Sequence, residues 1–379
     1  MSGLRKIVAA SVSVVLSGVL ALSANAQNNP HQRPLGDSHI FAPFPASPGL
    51  PEGIAIEDDR IYVSGPAQFG LFDTPKVIVY DLETGAQLQQ IPIQGLNQFA
   101  PKALSGLAFG KQDMLYVIEA IQLGVVRFDV DTPNVQEVYS PLMPNLPTCA
   151  AVAAGTPCSP TAVDNPPLPN DLVFDKNGYG YVSDSLQATI WRIPPGGGAA
   201  QIWFQDARFD SSNISANGLR IDGNKLYIAQ TVNNSGEGAI YTLPLNNPTA
   251  ANLNLFHRYT PAPGICAPND NKCSVGIGPD GIVFGKSGKL YVSLAITSQI
   301  SVLSDDGVEQ ALYSGPATNP SNPSDVLPWA NPSNMVFNNE TRSLLVCNHA
   351  IFAPNPAPLF GLFDVFVNDK GAQLFRPHQ

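Results

Sequence analysis

The chain has 379 residues, of which 13% are charged, and acidic residues outnumber basic ones to give a formal net charge of −10. Nucleic acid and anionic membranes are bound through basic surface, so this balance argues against both as partners and favours cation capture. With 32 Gly and 36 Pro, the composition suits many short strands and turns rather than helices.

Residues 1–26 read as a secretory signal: Arg5 and Lys6 precede an apolar run over 7–22, and Ser23-Ala24-Asn25-Ala26 supplies a small-residue cleavage site. No later stretch is long and apolar enough to span a bilayer. The mature chain is therefore expected in the periplasm or outside the cell, off the membrane, as a monomer whose partner is a small-molecule substrate. All five Cys fall after the signal. Cys149 and Cys158 flank one loop and Cys266 and Cys273 another, and an oxidising compartment allows two local disulfides there. Cys347 is left over in an apolar run, and a zinc site is disfavoured because no CxxC spacing occurs.

Residues 27–48 are Pro-rich and read as an irregular arm, although 39–41 has the pattern to lend an edge strand. From 49 to 379 the chain repeats. The first module has four short apolar-alternating runs at 53–56, 60–63, 76–80 and 87–91, separated by turn residues at Asp58-Asp59 and Glu83-Thr84-Gly85. The same pattern restarts at 107, 172, 219, 282 and 335, with the last module closing on a run at 372–375. Units of this size cannot bury both faces alone, so they must stack around an axis, and the fold class is all-β, a six-bladed β-propeller with four-stranded blades. Tyr62, Tyr116, Tyr181, Tyr227 and Tyr291 recur in the second run and are expected to pack between neighbouring sheets. Long connections at 143–168, 260–278 and 315–331 should emerge on one face and shape a site there.

Each module opens on a variant of one phrase: Pro51-Glu52-Gly53-Ile54, Leu104-Ser105-Gly106-Leu107, Pro169-Asn170-Asp171-Leu172, Ala216-Asn217-Gly218-Leu219, Pro279-Asp280-Gly281-Ile282 and Pro332-Ser333-Asn334-Met335. Taken as the oxygen-bearing positions ahead of the apolar residue, Glu52, Ser105, Asn170, Asn217, Asp280 and Asn334 are expected in register, and innermost propeller strands present such positions to the central channel. Glu52 and Asp280 would repel and raise each other's pKa unless a cation lay between them. Few basic residues neighbour the phrases. Carboxylate and amide oxygens without His or Cys select Ca²⁺ over zinc. His349 lies at a strand end and could contact substrate, although a satisfied structural His is the blander reading. No GxSxG elbow is present, which disfavours a serine nucleophile.

Four of these phrases, Pro51-Glu52-Gly53, Asn170-Asp171, Asn217-Gly218-Leu219 and Pro279-Asp280-Gly281, in this order, resemble those of the SMP-30/gluconolactonase family, Ca²⁺-dependent six-bladed propellers that hydrolyse lactones and, in related members, organophosphates. The resemblance covers the chain from about residue 48 onward. It implies Glu52, Asn217 and Asp280 as metal ligands, Asn170 as a ligand or substrate contact, and Asp171 as a general base, with Asp280 sharing the catalytic centre. The long Cys-bearing loops depart from the family pattern, so a sugar-lactone specificity does not carry over. The expected activity is that of an exported calcium-dependent hydrolase of the lactonase type. Its rivals are a phosphotriesterase, a non-enzymatic binding propeller with structural calcium, and a quinone-dependent dehydrogenase, the last disfavoured by the scarcity of basic groups in the phrases.

Overall fold

A computed structural model describes residues 33–68, 73–260 and 277–377. The expected signal segment and Cys266 and Cys273 lie outside the described residues. The strands form six sheets, each containing a four-stranded antiparallel unit, and helix is confined among the described residues to short 3-10 turns. This is the six-bladed β-propeller that the repeats predict. Blade 1 runs from Ile54–Glu57 to Gln87–Pro92, blade 2 from Leu104–Phe109 to Gln136–Ser140, and blade 3 from Pro169–Phe174 to Gln201–Gln205. Blade 4 runs from Ala216–Asp222 to Asn254–Tyr259, and blade 5 from Pro279–Phe284 to Glu309–Ser314.

Blade 6 departs from the sequence reading. Its three inner strands are Pro332–Asn338, Ser343–Asn348 and Gly361–Phe366, but its fourth is Ser38–Pro43, drawn from the N-terminal arm and antiparallel to Gly361–Phe366. The ring is thus closed by pairing two remote parts of the chain. Residues 372–375, expected as the outer strand, would compete for that same edge. They instead cross the face opposite the phrases, where the Ala372 N–H donates to Phe284 O at 2.8 Å and the Lys111 N–H to Pro377 O at 3.0 Å. Arg376 pairs there with Glu57. Within the 315–331 connection, Pro316–Asn319 and Asn322–Pro328 form a hairpin that extends the blade 6 sheet beyond Ser38–Pro43.

Blades pack through the recurrent tyrosines. Tyr62, Tyr116, Tyr227 and Tyr291 are buried edge-on against Phe109, Phe174, Phe284 and Phe337, each at the end of the next blade's first strand, with ring centroids 4.8–5.3 Å apart. Tyr181 belongs to the same interface at blade 4, where Ile221 replaces the Phe. Such edge contacts add about 0.5–1.5 kcal/mol each beyond the buried area.

Nearer the axis a second device joins the blades. A hydroxyl from each unit donates to a backbone carbonyl of the next unit's phrase: Ser64 to Ser105 O, Ser105 to Pro169 O, Ser185 to Ala216 O, Thr231 to Pro279 O, Ser293 to Ser333 O, and Ser333 to Pro51 O. All six links are buried and the circuit is complete. Each contributes about 1 kcal/mol and fixes how far one innermost strand lies from the next.

Candidate metal centre and active site

The phrase adopts one local conformation throughout. In blades 2 to 6 its first and fourth residues pair with the second strand while the two between them drop out of the ladder, a β-bulge, as in Pro279↔Leu294 and Ile282↔Val292. A bulge re-aims one side chain and leaves a backbone N–H to be satisfied. Ser64 and Ser183 meet that need, accepting from the Gly53 and Asp171 N–H groups at 2.9 and 3.0 Å. The third position lies against the neighbouring phrase, so a Cβ at Gly53 would come 2.5 Å from Ser105 O and one at Gly106 would come 2.7 Å from Asp171 Oδ1. Glycine here permits close approach of innermost strands.

This register corrects one alignment. Because Pro332 pairs with Asn348 and Met335 with Val346, the residue equivalent to Glu52 and Asp280 is Ser333, not Asn334. Asn334 is instead equivalent to Asp171. Both turn an Oδ1 back to the following N–H, of Met335 and of Leu172, at 2.9 Å.

Glu52, Asn170, Asn217 and Asp280 together line a cavity of about 580 Å³ on the phrase face, and His349 joins them. Glu52 and Asp280 are both buried. Burial, followed by the charge of Asp280, pushes the Glu52 carboxyl well above its usual range; Ser333 offsets this in part by hydrogen bonding to it. Burial and then the charge of Asp171 push Asp280 up to about 7. Asn217 donates from Nδ2 to Thr231 Oγ1 at 2.9 Å, which fixes the orientation of its amide, and it partly offsets the rise of the Asp280 carboxyl. His349 Nδ1 lies 3.5 Å from Glu52 Oε2, while Nε2 is buried with no hydrogen-bond partner. Burial lowers the imidazole to about 4, so it is neutral at pH 7 and supplies no counter-charge.

Asp171 stands apart from this group. It does not line the cavity; its carboxylate accepts from the Leu219 N–H at 2.8 Å and pairs with Arg220 Nη1 at 3.0 Å. Arg220 is the basic neighbour that the scarcity of cations in the phrases failed to suggest. It follows Leu219 directly, yet belongs to the interface of blades 3 and 4. Asp171 thus ties two innermost strands together. Ser105 is likewise turned toward the next blade.

A set of residues that sequence reading missed holds the loops over the cavity. Glu119, Asp184, Gln230 and Asn348 each end a second strand and are fully buried. Asp184 accepts from the Leu168 and Gln187 N–H groups and from Trp191 Nε1 at 3.0–3.1 Å, while Gln187 accepts from Leu146 N–H at 2.6 Å. Both ends of the 143–168 connection are thereby pinned, and the Cys149–Cys158 disulfide closes its middle. The signal was present as an acidic or amide residue ending an apolar run in four modules.

No family model matches the chain and no curated protein matches it. Solved structures do. Regucalcin from Agrobacterium tumefaciens, a calcium-binding protein, is 17% identical, with 90% of this chain and 99% of that one covered at a TM-score of 0.55. A protein assigned as a gluconolactonase is 15% identical over 89% of this chain and 94% of its own, at 0.54. A luciferin-regenerating enzyme is 13% identical over 90% and 99%, at 0.57. At these identities the likeness is one of fold, and it agrees with the resemblance carried by the phrases: the chain folds as the regucalcin and gluconolactonase propellers do.

Proposed function

We propose that the chain is an exported calcium-dependent hydrolase of the lactonase type, with Glu52, Asn170, Asn217 and Asp280 as the ion's protein ligands. The observation that carries this is the pair of buried carboxylates, Glu52 and Asp280, facing one cavity beside a neutral His349. Two buried carboxylates without a cation are costly. The donor set is all oxygen, two carboxylates and two amides, which fits a hard ion with a large, adaptable shell. Among the described residues no three His, Cys, Asp or Glu side chains group together, so the amides are needed to complete such a shell. The calcium-binding and gluconolactonase descriptions of the structural neighbours point the same way. The Cys149–Cys158 disulfide supports export, and no helix among the described residues is long and apolar enough to cross a membrane.

When bound, calcium supplies a Lewis-acid charge for a polarised ester carbonyl. The residues do the rest. Asn217, its amide oriented by donation to Thr231, offers Oδ1 in a fixed direction. Asp280 has two oxygens, so one would serve the ion while the other takes the proton from attacking water. Asp171, committed to Arg220 and Leu219, acts in this reading as a positioning residue rather than the base. His349 borders the cavity next to Glu52 and contacts bound substrate.

The test is a panel of lactone, aryl ester and phosphotriester substrates assayed with calcium and after chelation. Lactone turnover that vanishes on chelation and returns with calcium is the expected result. Undiminished turnover after complete chelation would overturn the metal role, phosphotriester turnover alone would favour that chemistry, and calcium binding without any turnover would favour a binding propeller.

A further inference from the structure

The wall of the cavity differs in kind from its floor. Past the end of each second strand the chain turns over the channel, and Val232, Ile296, Ile351 and Phe352 in three such turns, with Leu168 and Ile214 from the connections entering blades 3 and 4, make an apolar collar above the oxygen-bearing floor. Ile214 and Phe352 are exposed at the mouth, Phe352 at 70%. The Phe352 N–H donates to Asn331 Oδ1 at 3.0 Å, which holds that ring at the rim.

His349, beside Glu52 at the floor, keeps an unpartnered Nε2, while the other polar side chains of the buried wall are engaged. Ser105 donates to Pro169 O, Thr231 is shared between Asn217 and Pro279 O, and Asn331 donates to Ala295 O while accepting from Phe352. Gln68 and Asn213 are at the exposed edge. Among the described residues lining the cavity, the only charged side chains are Glu52 and Asp280. A ligand bearing hydroxyls around its ring could satisfy one at His349 and would lose water from the rest in this collar, which is costly. An aliphatic group would lose nothing and bury apolar surface. The volume, about 580 Å³, lies within the range of roughly 300–1,000 Å³ that encloses drug-sized ligands, with room beyond a bare lactone ring.

We infer that the substrate is a lactone carrying an aliphatic chain, its ester group at the Glu52, Asn217 and Asp280 floor and its chain within the collar of Leu168, Ile214, Val232, Ile296, Ile351 and Phe352. This rests on the hydrolase reading for the ester and on the collar for the chain, and the two separate experimentally. Unreactive γ-lactams with ethyl, butyl, hexyl and octyl substituents, and the polyhydroxylated gluconolactam, would be titrated calorimetrically into the calcium-loaded full chain, and the matching lactones assayed for turnover. Affinity should climb with chain length by up to about fourfold per methylene until the collar is filled, and gluconolactam should bind more weakly than the butyl lactam. Ile296→Asn and Phe352→Ser should each weaken octyl binding more than ethyl binding. Affinity indifferent to chain length, or gluconolactam matching the octyl compound, overturns the inference, and the wild-type series alone decides this if a variant misfolds. Chain-dependent binding without turnover of any lactone would sink the hydrolase reading and leave the collar's preference standing; turnover of every lactone at equal kcat/KM would do the reverse.

Discussion

Stripping calcium should make stability fall as pH rises, and Asp280 sets how far. Its carboxyl is held at about 7 in the folded chain against an ordinary value of 3.8. The folded state therefore keeps a proton between those values that the unfolded state has released, so its stabilising effect is whole below pH 4 and is lost as pH rises through 7. Three pH units at about 1.4 kcal/mol each amount to about 4 kcal/mol, or roughly 5–10 °C in Tm for a chain of this size. A bound cation reverses the preference by favouring the ionised carboxylates. The melting temperature, followed by circular dichroism from pH 4.5 to 7.5, should thus drop steadily in chelator and much less in calcium, so that the calcium-induced gain is small at pH 4.5 and largest at pH 7.5. Burial also raises Glu119 and Asp184, which adds a slope of the same sign. Neither residue lines the cavity, so the difference between the two curves is expected to read the channel. Asp280→Asn should flatten that difference. A calcium-induced gain equal at both ends of the pH range, or one that survives unchanged in Asp280→Asn, would refute the assignment of these carboxylates to a cation site.

Three further outcomes follow from the same geometry. Glu52→Gln and Asp280→Asn should each abolish turnover and weaken calcium binding at least tenfold by calorimetry, and full activity in either would remove that residue from the centre. Arg220→Met should cost about 3–5 kcal/mol in urea unfolding because it leaves the Asp171 carboxylate buried and unpaired, and Asp171→Asn combined with it should recover most of the loss. If Asp171→Asn alone instead removes kcat at unchanged stability, Asp171 is the base after all. Replacing Cys149 and Cys158 by Ser should cost about 2–3 kcal/mol by loop-closure entropy for a nine-residue separation, measurable as a shift in denaturation midpoint.

Much of this molecule was legible because a propeller writes the same instruction six times. Period-two runs and recurrent Tyr gave blades and their contacts, and the phrases gave Glu52, Asn170, Asn217 and Asp280, which the fold brings to one cavity. What stayed hidden involves partners remote in sequence. Ser38–Pro43 completes blade 6 across more than three hundred residues, and 372–375 had an equally good strand pattern, so only competition for one edge separates them. The Asn334 misalignment arose because its oxygen resembles that of Asn170 and Asn217, whereas Ser333 is short; counting two residues back from Met335 gives Ser333, and the pairing of Pro332 and Met335 agrees. The pairing of Asp171 with Arg220 stayed hidden because Arg220 follows a different phrase, and one phrase cannot show that the two meet. The apolar collar was invisible for a related reason, since Val232, Ile296 and Ile351 look like ordinary strand-end hydrophobics until the ring gathers them.

The six equivalent positions divide their labour in a way that ties stability to function. Blades 2 and 6 carry Ser105 and Ser333, whose short side chains donate to Pro169 O and Pro51 O in the neighbouring blades. Blades 1, 3, 4 and 5 carry Glu52, Asn170, Asn217 and Asp280, long enough to border the cavity, while Ser64, Ser185, Thr231 and Ser293 on their second strands or just beyond supply the circuit's other four links. Those links run through backbone carbonyls, whereas the groups proposed to hold an ion are side-chain oxygens. Changing a ligand therefore alters the centre while leaving the circuit of hydroxyls closed, and changing a circuit serine shifts the spacing of the innermost strands without removing a ligand. Ser333 is the exception, since it closes the ring by donating to Pro51 O and also acts on the Glu52 carboxyl, partly offsetting the rise of its pKa. It is the one position where loosening the ring and detuning the centre are the same event.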